Sequence, residues 1–102
     1  MNPHGNSHDN FAEHHLYEII DSEQNRVFKY GISGEPLLED GSSARANKQI
    51  RFLNNAVGWF RYFARVLLAS IQGRLNAEKI ENKYILTYYE TYGEYPKGNI
   101  KD

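Results

Sequence analysis

The chain has 102 residues, 40% of them hydrophobic and 14% aromatic, with no cysteine. A chain of this size supports one domain, and this many rings can build a core, so wholesale disorder is excluded. The absence of cysteine excludes a disulfide framework, a thiolate zinc site and a cysteine nucleophile. No membrane segment is expected, because the longest apolar run, Val66 to Ala69, is far short of the roughly 20 residues of a spanning helix. The opening residues also lack the charged start and apolar middle of a signal peptide.

A net charge of −1 conceals an asymmetry. Residues 1–40 carry eight acidic side chains against Arg26 and Lys29, whereas residues 41–77 carry Arg45, Lys48, Arg51, Arg61, Arg65 and Arg74 with no acid. A basic middle segment suits a polyanion such as a nucleic acid, although scattered surface arginines on a solvated helix face would give the same count.

Residues 1–13 read as a flexible lead-in and residues 14–102 as the folded domain. His4, His8, His14 and His15 lack metal-site spacing and are expected to be solvated. His15 to Ile20 and Val27 to Ser33 are short β-prone runs around the turn-forming Asp21–Asn25, which predicts an antiparallel hairpin. A Gly/Pro/Ser loop follows, with Ser42 or Ser43 as helix N-cap, and Ile50, Leu53 and Val57 recur at helical spacing before Gly58. Phe60 to Ile71 reads as a third strand, apolar on both faces and hence central. After Gln72-Gly73-Arg74, Asn76 is expected to cap a last helix running to about Tyr92. The predicted order is β-β-α-β-α, an α+β fold with a small three-stranded, mainly antiparallel sheet flanked by helices.

In the last helix, Ala77, Glu81, Tyr84, Ile85, Tyr88 and Tyr92 share one face. A carboxylate in an apolar stripe needs a partner, a cation or a raised pKa, since burying it bare costs several kcal/mol, unless it sits at the stripe's edge and pairs with Lys or Arg.

The order of these signals resembles the GIY-YIG nuclease domain. Tyr17 stands in the first strand, Lys29-Tyr30-Gly31-Ile32-Ser33 in the second, Arg45 opens the first helix, Glu81 begins Glu-Asn-Lys-Tyr-Ile in the last, and Asn99 follows Pro96-Lys97-Gly98. The phrasing is similar to the URI-type nuclease domains at the C-terminal ends of bacterial polymorphic toxins. The pattern is departed from in three places: His15-Leu16 replace Gly-Ile, Lys29 stands where the name-giving motif has tyrosine, and Lys48-Gln49 occupy the turn after Arg45 where some relatives have histidine.

The resemblance implies a Mg²⁺- or Mn²⁺-dependent endonuclease, acting on nucleic acid and on DNA in the first instance, with Tyr17, Lys29, Arg45 and Glu81 as its catalytic residues. Glu81 would hold the metal, Arg45 would grip a phosphate oxygen, and Lys29 would add positive charge. Tyr17 would position the attacking water or deprotonate it, if its pKa were depressed. Lys48, Arg51, Gly31 and Ser33 are candidate substrate contacts, and Tyr30 and Asn99 complete the motif. Arg61 and Arg65 share a strand face and are either further contacts or surface charges. The resemblance also implies a delivered effector module that acts in the cytoplasm of a target bacterium and is neutralised by a cognate immunity protein. On an ordinary reading, Tyr17 is strand packing, Lys29 an edge charge, Arg45 a helix-start cation and Gly31 a bulge marker. A catalytically inactive scaffold that binds nucleic acid or protein, and a repair or restriction nuclease, are the alternatives.

Overall fold

The computed structural model describes residues 12–99. Nearly all of the predicted lead-in, with His4 and His8, lies outside them. The elements are β1 (Glu13–Asp21), β2 (Arg26–Ser33), α1 (Ala44–Val57), β3 (Tyr62–Gln72), α2 (Arg74–Tyr92) and a short 3₁₀ turn over Lys97–Asn99. The predicted β-β-α-β-α order is the observed one, and the three strands form an antiparallel sheet in the order β2-β1-β3.

The central strand is therefore β1, not β3 as its apolar content predicted. β1 is buried from His14 to Ile19, whereas β3 is an edge with Phe63 and Leu68 exposed. Polar residues of β1 disguised it, because Glu18 and Asp21 find their charged partners only in the folded chain. Glu18 accepts from Arg65 Nε at 2.7 Å, and Asp21 accepts from Arg61 Nε at 2.8 Å. Arg61 also pairs with Glu23, so both arginines are held in ion pairs with β1 or the turn that follows it.

The histidines correct a second expectation. His14 and His15 are 2% and 3% exposed, because the central strand carries them inside. His14 Nδ1 donates to the Ala12 carbonyl, and His15 Nε2 is hydrogen-bonded to Ser43 Oγ at 2.7 Å. Among the described residues, no group of three or more His, Asp or Glu side chains is arranged to hold a metal ion.

The two helices cover opposite faces of the sheet. Tyr17 and Ile19 pack with Ala46, Ile50 and Leu53 of α1, while Leu16, Ile32 and Ile71 pack with Ala77, Ile80 and Tyr84 of α2. The alternation of β1 thus feeds two cores at once, as the side-chain period of a strand requires. Ser43 caps α1 by accepting from Ala46 N–H, and its bond to His15 fixes the start of that helix to the central strand. At the other end Asn54 accepts from the amides of Arg61 and Tyr62, tying α1 to β3.

α2 begins two residues before the predicted cap. Gly73 precedes it at φ 84°, where the strand turns directly into the helix, and Asn76 Nδ2 donates back to the Gln72 carbonyl. Asn99 joins the chain end to β2, accepting from Tyr30 N–H at 2.8 Å and donating to the Tyr30 carbonyl at 2.9 Å. That pairing occupies part of the β2 edge.

Two buried groups make this fold sensitive to acid. Burial holds the His15 imidazole below its ordinary pKa of about 6.5, with His14 reinforcing and Glu35 opposing. Its hydrogen bond from Arg61 holds the Asp21 carboxyl below the ordinary aspartate range. Each folded-state pKa lies below the unfolded one, so each group stabilises the fold at neutral pH and that stabilisation is lost on acidification. The His15 contribution is lost first, from about pH 6.5 downward, and that of Asp21 below about pH 3.9. Thermal unfolding followed by circular dichroism should give a midpoint that declines below about pH 6.5, and His15→Gln should flatten the upper part of the decline. A midpoint that rises between neutrality and mild acid would contradict this assignment.

Candidate active site

A cleft of about 330 Å³ opens where β1 and β2 meet the N-terminal parts of both helices. Tyr17 of β1, Lys29 and Gly31 of β2, Arg45 of α1 and Glu81 of α2 all line it. Residues distant in sequence and drawn from separate elements are therefore brought together.

Tyr17 and Gly31 are cross-strand partners in regular register, and the irregularity between β1 and β2 lies at Ile19/Ile20 instead. Gly31 does not mark a bulge. A Cβ at that position would overlap the Cζ, Oη and Cε1 atoms of Tyr17, so the tyrosine ring lies across the glycine. The ring is 1% exposed, and its hydroxyl donates to Gln49 Oε1 at 3.2 Å. Burial raises the phenol pKa above its usual value of about 10, with Arg45 opposing and Glu81 reinforcing. Burial thus works against the depression that base catalysis would require.

Lys29 is half-buried, facing the side of the sheet opposite to Tyr30. Burial and the Arg45 charge draw its pKa down, and Glu81 opposes them. Tyr30 packs in the α2 core, its ring 5.5 Å from that of Tyr84. Arg45 sits in the first turn of α1, which contains no acidic residue. A cation there adds to the positive end of the helix instead of offsetting it, a local conflict of the kind functional sites carry. Glu81 is half-buried on α2 and lines the cleft with Tyr17 and Lys29.

The structure adds residues that the sequence reading missed. Arg74, Glu78 and Asn82 also line the cleft, and Arg74 Nε donates to Glu78 at 2.9 Å. With Glu81 they recur at helical spacing, forming a polar stripe beside the apolar one that motif matching passed over. Gln49, the partner of Tyr17, lies four residues after Arg45 and so one turn along α1.

Three predicted contacts fall elsewhere. Lys48 and Arg51 line a larger adjoining groove and not the cleft. Ser33 is 3% exposed at the end of β2, where its Oγ accepts from Glu35 N–H, and this loop-forming contact explains its presence. Asn99 is bound to the Tyr30 backbone and acts on β2, not on the cleft.

Searches against curated proteins and against solved structures return no match. A family model described as URI fold toxin 2 matches residues 7–93, a span that contains all three strands, both helices and every lining residue of the cleft. The fold and that match agree, and the chain belongs to the URI fold toxin 2 family, toxin domains of the GIY-YIG-like nuclease kind.

Proposed function

We propose that this toxin domain is a metal-dependent endonuclease that hydrolyses phosphodiester bonds in DNA. The observation that carries the reading is the convergence of Tyr17, Lys29, Arg45 and Glu81, from four separate elements, on one small polar cleft. Hydrolysis needs a water aimed at phosphorus, positive charge on the phosphoryl oxygens, and stabilisation of the departing 3′ oxygen.

The planar guanidinium of Arg45 is suited to grip the non-bridging oxygens of the scissile phosphate, and Lys29 adds a second cation to the same cleft. The Tyr17 phenol, fixed by Gln49 and protonated, orients the attacking water by hydrogen bonding. The water oxygen bonds to phosphorus as the bond to the 3′ oxygen breaks. The water's proton leaves to solvent and the 3′ oxygen is protonated, giving a 5′-phosphate and a 3′-hydroxyl.

Glu81, with Glu78 and Asn82 nearby, offers oxygen donors only. That donor set suits Mg²⁺ or Mn²⁺, which keeps most of its waters and binds through one or two carboxylates and substrate phosphate. A bound divalent cation would polarise the phosphate and stabilise the leaving oxygen. As part of a delivered antibacterial effector, the domain would act in the cytoplasm of the target cell and be blocked there by a cognate immunity protein.

Supercoiled plasmid incubated with the purified domain and Mg²⁺ tests the reading. Nicking that EDTA abolishes is the expected result. Plasmid and RNA that both stay intact would replace the enzyme with a binding scaffold.

A further inference from the structure

Beside the cleft runs a groove of about 900 Å³ that shares Lys29 and Arg45 with it. Its two kinds of lining are interleaved. Lys48 and Arg51 extend the positive rim, and among the lining residues Glu35 is the one acid. Phe28, Leu53 and Phe52 supply apolar surface. Phe28 is anchored, its ring edge-on to Tyr62 at 5.2 Å, whereas Phe52 stands 74% exposed. Arg45, Lys48, Gln49 and Phe52 recur at intervals of three and four on α1, so they form one stripe of the helix. From Arg45 to Phe52 the stripe covers about 10 Å, beginning at the cleft and ending at the aromatic ring.

A duplex presents phosphates outward and keeps its base faces stacked. A single strand presents both, and a groove lined by cations and aromatic rings together matches that combination. Resting on the nuclease reading and deepening it, we infer that this groove holds the single-stranded stretch of DNA next to the scissile phosphate, with a base stacked on Phe52 and its flanking phosphates on Lys48 and Arg51. The preferred substrate is then single-stranded or locally opened DNA, cut with little sequence preference, because every base offers a face to stack.

The test is binding of a roughly 12-nucleotide single-stranded DNA containing 2-aminopurine, and of its duplex, in EDTA where cleavage is not expected. The single strand should bind more tightly and show quenched 2-aminopurine fluorescence. Phe52→Ala should weaken that binding by about five- to hundredfold, the worth of one base–aromatic stack, and Phe52→Tyr should retain it. Phe60→Ala, which removes another exposed ring at 82% exposure outside the groove, should leave binding unchanged. Circular dichroism of each variant checks the fold. Unchanged affinity in Phe52→Ala, or duplex bound as tightly as single strand, overturns the inference and leaves the Phe52 face to a protein partner. A failure of plasmid cleavage with Mg²⁺ would count against the nuclease while the EDTA binding result still read the groove.

Discussion

Glu81→Gln should abolish Mg²⁺-dependent plasmid cleavage while leaving the melting temperature nearly unchanged. The loss expected is on the order of 10³-fold in rate, the upper range for one contact made in the transition state. The substitution keeps size and shape and removes only the negative charge. That charge acts on its neighbours already, since it raises the pKa of both Lys29 and Tyr17. Its removal takes from the cleft the carboxylate that acts on Lys29 and Tyr17, and with it the proposed anchor for a divalent cation. Glu78 is the informative comparison. It lies three residues earlier on the same helix and is paired with Arg74, so Glu78→Gln should cost only about tenfold, as a neighbour that orients the site. If Glu81→Gln cleaves normally and Glu78→Gln does not, the metal-holding role passes to Glu78.

Gly31→Ala should disable the site by a different route, displacing Tyr17 without touching any charged group. The added methyl would occupy the space of the Tyr17 ring, which is 1% exposed, held at its hydroxyl by Gln49 and packed with Ile19 and Ala46. Either the ring or the strand must shift, and overpacking of this kind costs about 1–3 kcal/mol. A lower melting temperature together with a rate loss of about 10²-fold or more is expected, because a misplaced catalytic group costs that much even at a displacement near 1 Å. Tyr17→Phe separates the two effects: it keeps the ring and should melt close to the parent, yet lose cleavage through the missing hydroxyl. If Gly31→Ala matches the parent in both melting and cleavage, the ring has room that the geometry denies it.

The glycine shows why a motif can be read without its reason. The Gly31-Ile32-Ser33 signal was legible, but its cause, the ring of a residue on the neighbouring strand, exists only once β1 and β2 pair. Ser33 shows the opposite case, since it fits the motif and yet serves the loop through Glu35. Lys48 and Arg51 were legible as cations near Arg45, but their groove depends on how Phe28 and Phe52 frame it.

The sequence by itself determined the element order, the helix ends before Gly58 and at Tyr92, and the family, because periodicity, turn chemistry and short motifs are local properties. It also singled out four of the residues that the cleft collects, Tyr17, Lys29, Arg45 and Glu81. Only the tertiary structure decided which strand is central. Strand burial depends on pairing partners, and the polar side chains of β1 meet Arg61, Arg65 and Ser43 from far along the chain. The fate of His14 and His15 was decided in the same way, since position in the sheet and not residue type sets their exposure. Tyr17 is the clearest instance. Its type and place in the sequence were read from a motif, but the direction of its pKa came from burial, a property that no single strand possesses.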